Sequence, residues 1–193
     1  MRTSALPQTD TALIARSQAE PELFGLLFER HFSRIYSYLA RRAGRASAED
    51  LASQTFVVAF ERRQHFDPAI SNALPWLYGI ATNLLRNHVR AVRRADATVL
   101  RVAAVSPVSG ESLEPETMSA VLRVIDKLAA DQREALFLFA WADLTYSEIS
   151  EVLDVPIGTV ASRIARAREI LRADLISAEP TNGVNHKGTL DHE

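Results

Sequence analysis

Between Pro21 and Arg42 the apolar residues Leu23, Phe24, Leu27, Phe28, Ile35, Tyr38 and Leu39 keep to helical spacing, and Gly44 follows the basic pair Arg41 and Arg42 as a stop signal. The spacing predicts one long helix. Ser47 is the expected N-cap of the next, with Glu49 and Asp50 in the first turn, where the helix dipole favours negative charge, and the helix running to about Arg63. Leu51, Val58 and Ala59 can pack inward while Phe56 and Phe60 are angled elsewhere. Either this helix is deeply buried or one side waits for a partner. Turn formers fill residues 64–74, QHFDPAISNAL, which predicts a surface loop. Pro75 then suits the first position of a third helix, whose apolar face is Trp76, Leu77, Ile80, Ala81, Leu84 and Leu85.

Periodicity disappears over residues 102–117, where Pro, Ser and acidic residues mark a linker and a domain boundary. Beyond it, residues 118–127 read as a helix, and Asp131 is the expected cap of another, QREALFLFAW. Thr145 and Glu148 form a capping box for a short helix with Ile149, Val152 and Leu153 on its apolar side. Pro156 disfavours the α region at Val155 and presets the first turn of a new helix. There Val160, Ile164, Ala167 and Leu171 make one buried stripe, leaving Thr159, Ser162, Arg166 and Glu169 outward with Arg163 and Arg168 on the flanks. Any two amphipathic helices would give part of this pattern. The capped first helix, the tight turn and the small and hydroxyl residues near the start of the second favour a DNA-binding helix-turn-helix.

The expected fold is therefore all-α, with two small helical domains, residues 19–101 and 118–176, joined by a flexible linker, the second containing the helix-turn-helix. Residues 1–18 read as a flexible lead-in and residues 177–193 as a flexible tail.

Composition changes this picture in three ways. Cysteine is absent from the 193 residues, which excludes disulfides and Cys-based zinc sites. No apolar run reaches the length of a membrane span and the N-terminus lacks an apolar signal region, so a cytoplasmic protein without membrane insertion is expected. The net charge of −2 hides segregation: Arg86, Arg90, Arg93, Arg94 and Arg101 are opposed in their segment only by Asp96. Phe66 and Trp76 lie just upstream, and aromatic faces beside a basic track suit an unstacked nucleic-acid strand. A solvated arginine face with Trp76 in the core is the alternative. There is no Gly-rich phosphate loop, catalytic Ser-His-Asp order or metal-ligand spacing, and the five histidines are scattered, so neither catalytic residues nor a metal or cofactor is expected.

Taken together, AEDLASQTFVVAF, LPWLYGIATNLLRNHVRAVRR and DQREALFLFAWADLTYSEISEVLDVPIGTVASRIARAR, in that order, resemble the extracytoplasmic-function sigma factors, the small initiation subunits of bacterial RNA polymerase. The resemblance covers residues 22–172 and implies a sigma factor that binds core polymerase through its beta and beta-prime subunits and opens promoter DNA. It implies core-binding roles for Asp50, Leu51, Gln54 and Phe56. Phe66 would lie on the loop that captures a flipped base, with Trp76, Asn83, Arg86 and Arg90 along the helix that reads and melts the minus 10 element. Thr159, Ser162, Arg163 and Arg166 would read the minus 35 element. The acidic linker would thread toward the polymerase active centre, and an anti-sigma factor is a plausible further partner. Three positions depart from the family pattern: Gln54 replaces a usual Glu, Thr82 a usual basic residue on the downstream DNA face, and Ala161 a usual Arg or Lys. Loss of a phosphate contact at Ala161 implies flatter salt dependence and weaker minus 35 binding. An ordinary transcription regulator, whose helix-turn-helix binds an operator and whose front domain senses or dimerises, is the competing expectation.

Overall fold

The computed structural model describes residues 9–98, 124–125 and 127–177. The expected linker and most of the expected helix over residues 118–127 lie outside the described residues, as do residues 1–8 of the lead-in and 178–193 of the tail. All regular structure among the described residues is helical.

The first departure from expectation comes at once. Residues 10–16, read as part of a flexible lead-in, form helix α1 (Asp10–Arg16), whose N-cap Thr9 accepts a hydrogen bond from the Ala12 amide. Leu13 and Ile14 are buried, and that burial gives a helix of two turns the stability its length alone does not supply. A 3₁₀ turn at Pro21–Leu23 leads into α2 (Phe24–Ala43), which buries Leu27, Ile35, Tyr38 and Leu39 along one side.

Gly44 alone separates α2 from α3 (Arg45–Arg62). Its φ of +79° lies where a side chain is strained; its amide closes α2 on the Ala40 carbonyl and its carbonyl receives the Ala48 amide. Gly44, not Ser47, is thus the start of α3, and Ser47 lies inside the first turn. Helix α3 buries Ala48, Leu51, Ala52, Thr55, Phe56 and Ala59, and the small residues in this set let it lie close against α2. After a 3₁₀ turn at Arg63–His65 and a loop, α4 runs over Leu74–Thr98, its first amide accepted by the Asn72 side chain.

In the second half, Val124 and Ile125 are helical and buried. Helix α5 (Ala130–Ala140) begins after Ala129, so Asp131 is not its cap: its carboxylate accepts from the Gln132 amide and pairs with Arg163 at 3.0 Å. Helix α6 (Tyr146–Leu153) has the expected capping box, with Thr145 Oγ1 accepting from the Glu148 amide and Glu148 accepting from the Thr145 amide at 2.8 Å. Asp154 ends it in the left-handed region, and Val155 donates back to the Ser150 carbonyl. Helix α7 (Ile157–Ser177) follows Pro156, with Val160, Ile164 and Ala167 buried.

The two halves do not stand apart. A single core runs from Ile14 in α1 to Ile164 in α7, and α4 packs against α6. Glu134, 5% exposed, closes the seam: Arg86 donates to it from Nε at 3.1 Å and from its terminal nitrogen, and Arg42 approaches at 3.7 Å. Arg42 also lies over the Tyr38 and Phe137 rings, and Arg41 over Trp141. Tyr38, beneath Arg42, shares a 3.0 Å hydrogen bond with Thr82, and burial pushes its phenol above the ordinary range; burial likewise pushes Tyr78, packed edge-on against it, up to about 12.

Candidate nucleic-acid interface

The outward side of α4 is the most regular polar surface in the first half. Asn83, Asn87, Arg90 and Arg94 follow one another at helical spacing, and all four are exposed. Asn83 and Arg90 therefore stand where a strand could meet them. Arg86, by contrast, is turned toward Glu134 across the seam and held there by their ion pair. Thr82 corrects the sequence reading: it is fully buried, so this position belongs to the interior, not to a downstream DNA face. A cationic side chain there would have to displace the Tyr38 hydroxyl.

Phe66 is 8% exposed and sets its ring edge-on to Trp76, with centroids 5.1 Å apart. Trp76 is half-buried, so the ring pair is neither a free platform nor wholly core. Beside it a cavity of about 190 Å³ opens, lined by Phe66, Pro68, Arg63 and Gln64 from the loop side and Thr11, Ile14 and Gln18 from the α1 side. The loop itself is ordered by local bonds, the Asp67 carboxylate accepting from Ala69 and the Asn72 side chain from Leu74.

The core-binding set divides. Asp50 and Gln54 are exposed and continue to Val57, 56% exposed, at positions i, i+4 and i+7 of α3. Leu51 and Phe56, expected on the core-binding helix, are buried in this structure. Phe56 packs edge-on beneath Phe28, and Phe28 with Leu26 on α2 remains uncovered. The apolar residues left exposed here are Val57 on α3 and Phe28 on α2, with Phe56 packed against Phe28.

On α7, Ser162 and Arg166 are exposed and Thr159 is half-buried. Arg163 lies against Asp131, and Arg168 covers the Phe139 ring at 4.7 Å. Both flanking arginines therefore brace α7 on α5, leaving Thr159, Ser162 and Arg166 on the presented face. Ala161 is half-buried beside them. Two residues that sequence reading passed over join these surfaces: Asp10, whose carboxylate ties α1 to α2 and the loop, and Glu134.

Comparison with known proteins adds to this geometry. Residues 27–95 match the family described as Sigma-70 region 2, and residues 118–171 match Sigma-70, region 4. The ECF RNA polymerase sigma-E factor of Haemophilus influenzae is 32% identical over 84% of this chain and 93% of its own. The probable RNA polymerase sigma-C factor of Mycobacterium bovis is 34% identical over 76% of this chain and 78% of its own. Among solved structures, CnrH in complex with the cytosolic domain of CnrY has a TM-score of 0.65 at 25% identity, covering 90% of this chain and 100% of that one. The sigma factor RpoE bound to the anti-sigma factor NepR from Bartonella quintana has a TM-score of 0.63 at 25% identity, covering 82% of this chain and 99% of that one. A region 2 match across the first half displaces the ordinary-regulator reading, which needed a sensing or dimerising domain there. The chain belongs to the extracytoplasmic-function sigma factors of the sigma-70 family, subunits that bind core RNA polymerase and direct it to specific promoters to initiate transcription.

Proposed function

We propose that this sigma factor uses three separate surfaces. The α4 stripe Asn83, Asn87, Arg90 and Arg94, with the Phe66–Trp76 pair at its head, meets the unstacked strand of the minus 10 element. The presented face of α7, Thr159, Ser162 and Arg166, enters the major groove at the minus 35 element. The α3 stripe Asp50, Gln54 and Val57, continued by Phe28, docks on core polymerase. The domain limits follow these surfaces, residues 19–101 and 118–176, with α1 now added to the first. The observation that carries the assignment is the coexistence, on one chain, of an exposed Asn and Arg stripe beside an aromatic pair and a capped helix-turn-helix.

The seam at Glu134 gives the free chain a closed form. With Arg86 held there, polymerase binding has to part the halves before Arg86 serves DNA. Because CnrH and RpoE were solved with CnrY and NepR, and both cover most of this fold, we further propose an inhibitor protein of the anti-sigma kind that prolongs the closed form. The chain works in the cytoplasm with core polymerase; no described helix is long and apolar enough to cross a membrane. It supplies recognition and DNA opening, leaving catalysis to the polymerase.

Reconstituted transcription tests the scheme. Core polymerase, genomic fragments and this protein should give new starts that share two spaced upstream motifs and require both components. Substituting Asn83 or Arg90 by Ala should alter the downstream motif, and substituting Ser162 or Arg166 the upstream one. Mutants that lose both motifs together would dismiss the division of labour.

A further inference from the structure

Asp10 is 6% exposed and its carboxylate is fully engaged. Oδ1 accepts from Arg30 at 2.6 Å, and Oδ2 accepts from His31 Nε2 at 2.8 Å and from the Ala73 amide at 3.0 Å. The next residue, Thr11, donates from Oγ1 to the Ile70 carbonyl at 2.5 Å. Two consecutive residues of α1 thus hold two points of the loop between Phe66 and α4, some sixty positions away in sequence. Ala73 is the second point, and it is no ordinary loop residue. Its carbonyl accepts the Leu77 amide, the first intrahelical bond at the head of α4, so the position of Ala73 sets where the helix and Trp76 begin.

We propose that Asp10, seconded by Thr11, is a positioning residue for reading of the minus 10 strand, fixing the loop and the head of α4 so that Phe66, set edge-on to Trp76, presents the cavity it shares with α1. The proposal rests on the assignment of that loop to base capture. Its physical content is preorganisation. A base leaves the stack at a cost, and a receptor that must also order itself on binding recovers less of that cost. Arg30 and His31 belong to α2, so Asp10 refers the loop to the helix that also carries Phe28, the rigid body of the first half. Half of the cavity wall is Thr11, Ile14 and Ala15 of α1 with Gln18 just beyond it, so a shift of α1 changes the cavity as well as the loop. Asp10 lies on none of the three binding surfaces and acts only through the backbone it holds.

The test uses holoenzyme, with full-length chain on core polymerase, and a pool of random single-stranded DNA twelve-mers as the probe, sequenced before and after capture. Asp10→Ala and Thr11→Val are compared with the parent and with Phe66→Ala, below the unfolding temperature of every variant. Amide exchange at Ala73 is followed in the free chains. The parent should enrich a preferred base at defined positions. Asp10→Ala should lower that preference about tenfold at one position, with core affinity and the other positions unchanged, and should speed Ala73 exchange. Thr11→Val, nearly isosteric, should give a smaller change at the same position. Preference reduced equally at all positions, or unchanged in both α1 variants while Phe66→Ala abolishes it, overturns the positioning role and leaves base capture standing. If Phe66→Ala itself changes nothing, base capture by this loop fails, and the positioning role fails with it.

Discussion

The two halves of this sigma factor place the groups proposed to read DNA by different means. In the second, the helix-turn-helix is assembled from bonds between near neighbours: Thr145 with Glu148, Ser150 with Val155, and Pro156 with Thr159 and Val160. In the first, the loop that carries Phe66 is held by Asp10 and Thr11 from the far end of the domain. A groove-reading helix needs only to be a helix at a fixed angle to its neighbour, which caps and a Pro can specify. The loop after Phe66 has local turns at Asp67 and Asn72, but no periodic backbone, and its place against α1 and α2 is set by Asp10 and Thr11. The difference teaches where each half is vulnerable: the first through one buried carboxylate, the second through several small local terms.

The sharpest way to break the contrast is Asp10→Ala. Removing one member of a buried, hydrogen-bonded charge cluster costs roughly 3 kcal/mol, because the buried His31 Nε2 and the Ala73 amide lose their acceptor. Urea unfolding of the full chain measures it, and a loss below about 1 kcal/mol would put the two halves on equal terms. The same carboxylate has a pH signature. Burial opposes its ionisation, but hydrogen bonds from His31, the Ala73 amide and Arg30 prevail and lower its pKa from 3.8 to about 2. A depressed carboxylate stabilises the fold fully above its unfolded pKa, and that stability disappears as pH falls from about 4 toward 2. The window is worth about 2 kcal/mol. The unfolding free energy of Asp10→Ala should therefore fall less steeply than the parent's across that interval.

Next in size is Glu134→Gln at the seam between the halves. It leaves Arg42 and Arg86 without a carboxylate and should weaken closure by about 1 to 3 kcal/mol. Small-angle scattering of the free chain should show a larger radius of gyration in the variant. An unchanged profile, with unchanged protease sensitivity between residues 99 and 123, would mean that apolar packing of α4 on α6 holds the halves together without help from this ion pair.

Thr145→Ala probes the local half. Loss of the N-cap bond to Glu148 should cost about 1 kcal/mol, and the effect should be confined to minus 35 binding and overall stability, with single-strand preference intact. The smallest effect is expected from Ala161→Arg. Ala161 is half-buried beside Ser162 on α7, and a long side chain there can extend its head to solvent. One added phosphate contact should tighten minus 35 binding and steepen the salt dependence of log affinity by about 1. Equal affinity and equal salt slope would show that this position does not face the backbone.

Much of the helical plan was legible because it is periodic. The stripe Val160, Ile164 and Ala167 is buried as its spacing demands, and the capping box at Thr145 is where the sequence puts it. The misses have specific causes. Helix α1 carries its own start signal, Thr9 before Asp10 with Leu13 and Ile14 behind, but two turns are too few for periodicity to register. Ser47 and Asp131 are good capping residues, but the helices begin at Gly44, whose φ of +79° ends α2 and opens α3 in one step, and at Ala129, whose amide donates to the Gln132 side chain. Gln54 and Phe56 share a helix, yet one is exposed and the other lies under Phe28; a helix with apolar residues on several faces does not say which face is covered. Thr82, aligned by resemblance with a DNA-facing charge, is an interior residue here because Tyr38 hydrogen-bonds to it.

By itself the sequence determined the all-α class, the helix-turn-helix and the kinds of residue offered to DNA, because these follow from spacing within one or two turns. Only the tertiary structure decided that Asp10 governs the loop of Phe66, that Arg86 is held by Glu134, and that Val57 and Phe28 rather than Leu51 and Phe56 face outward. Those outcomes depend on which buried charges find partners and which apolar faces meet, and such pairings between distant residues leave no periodic trace along the chain.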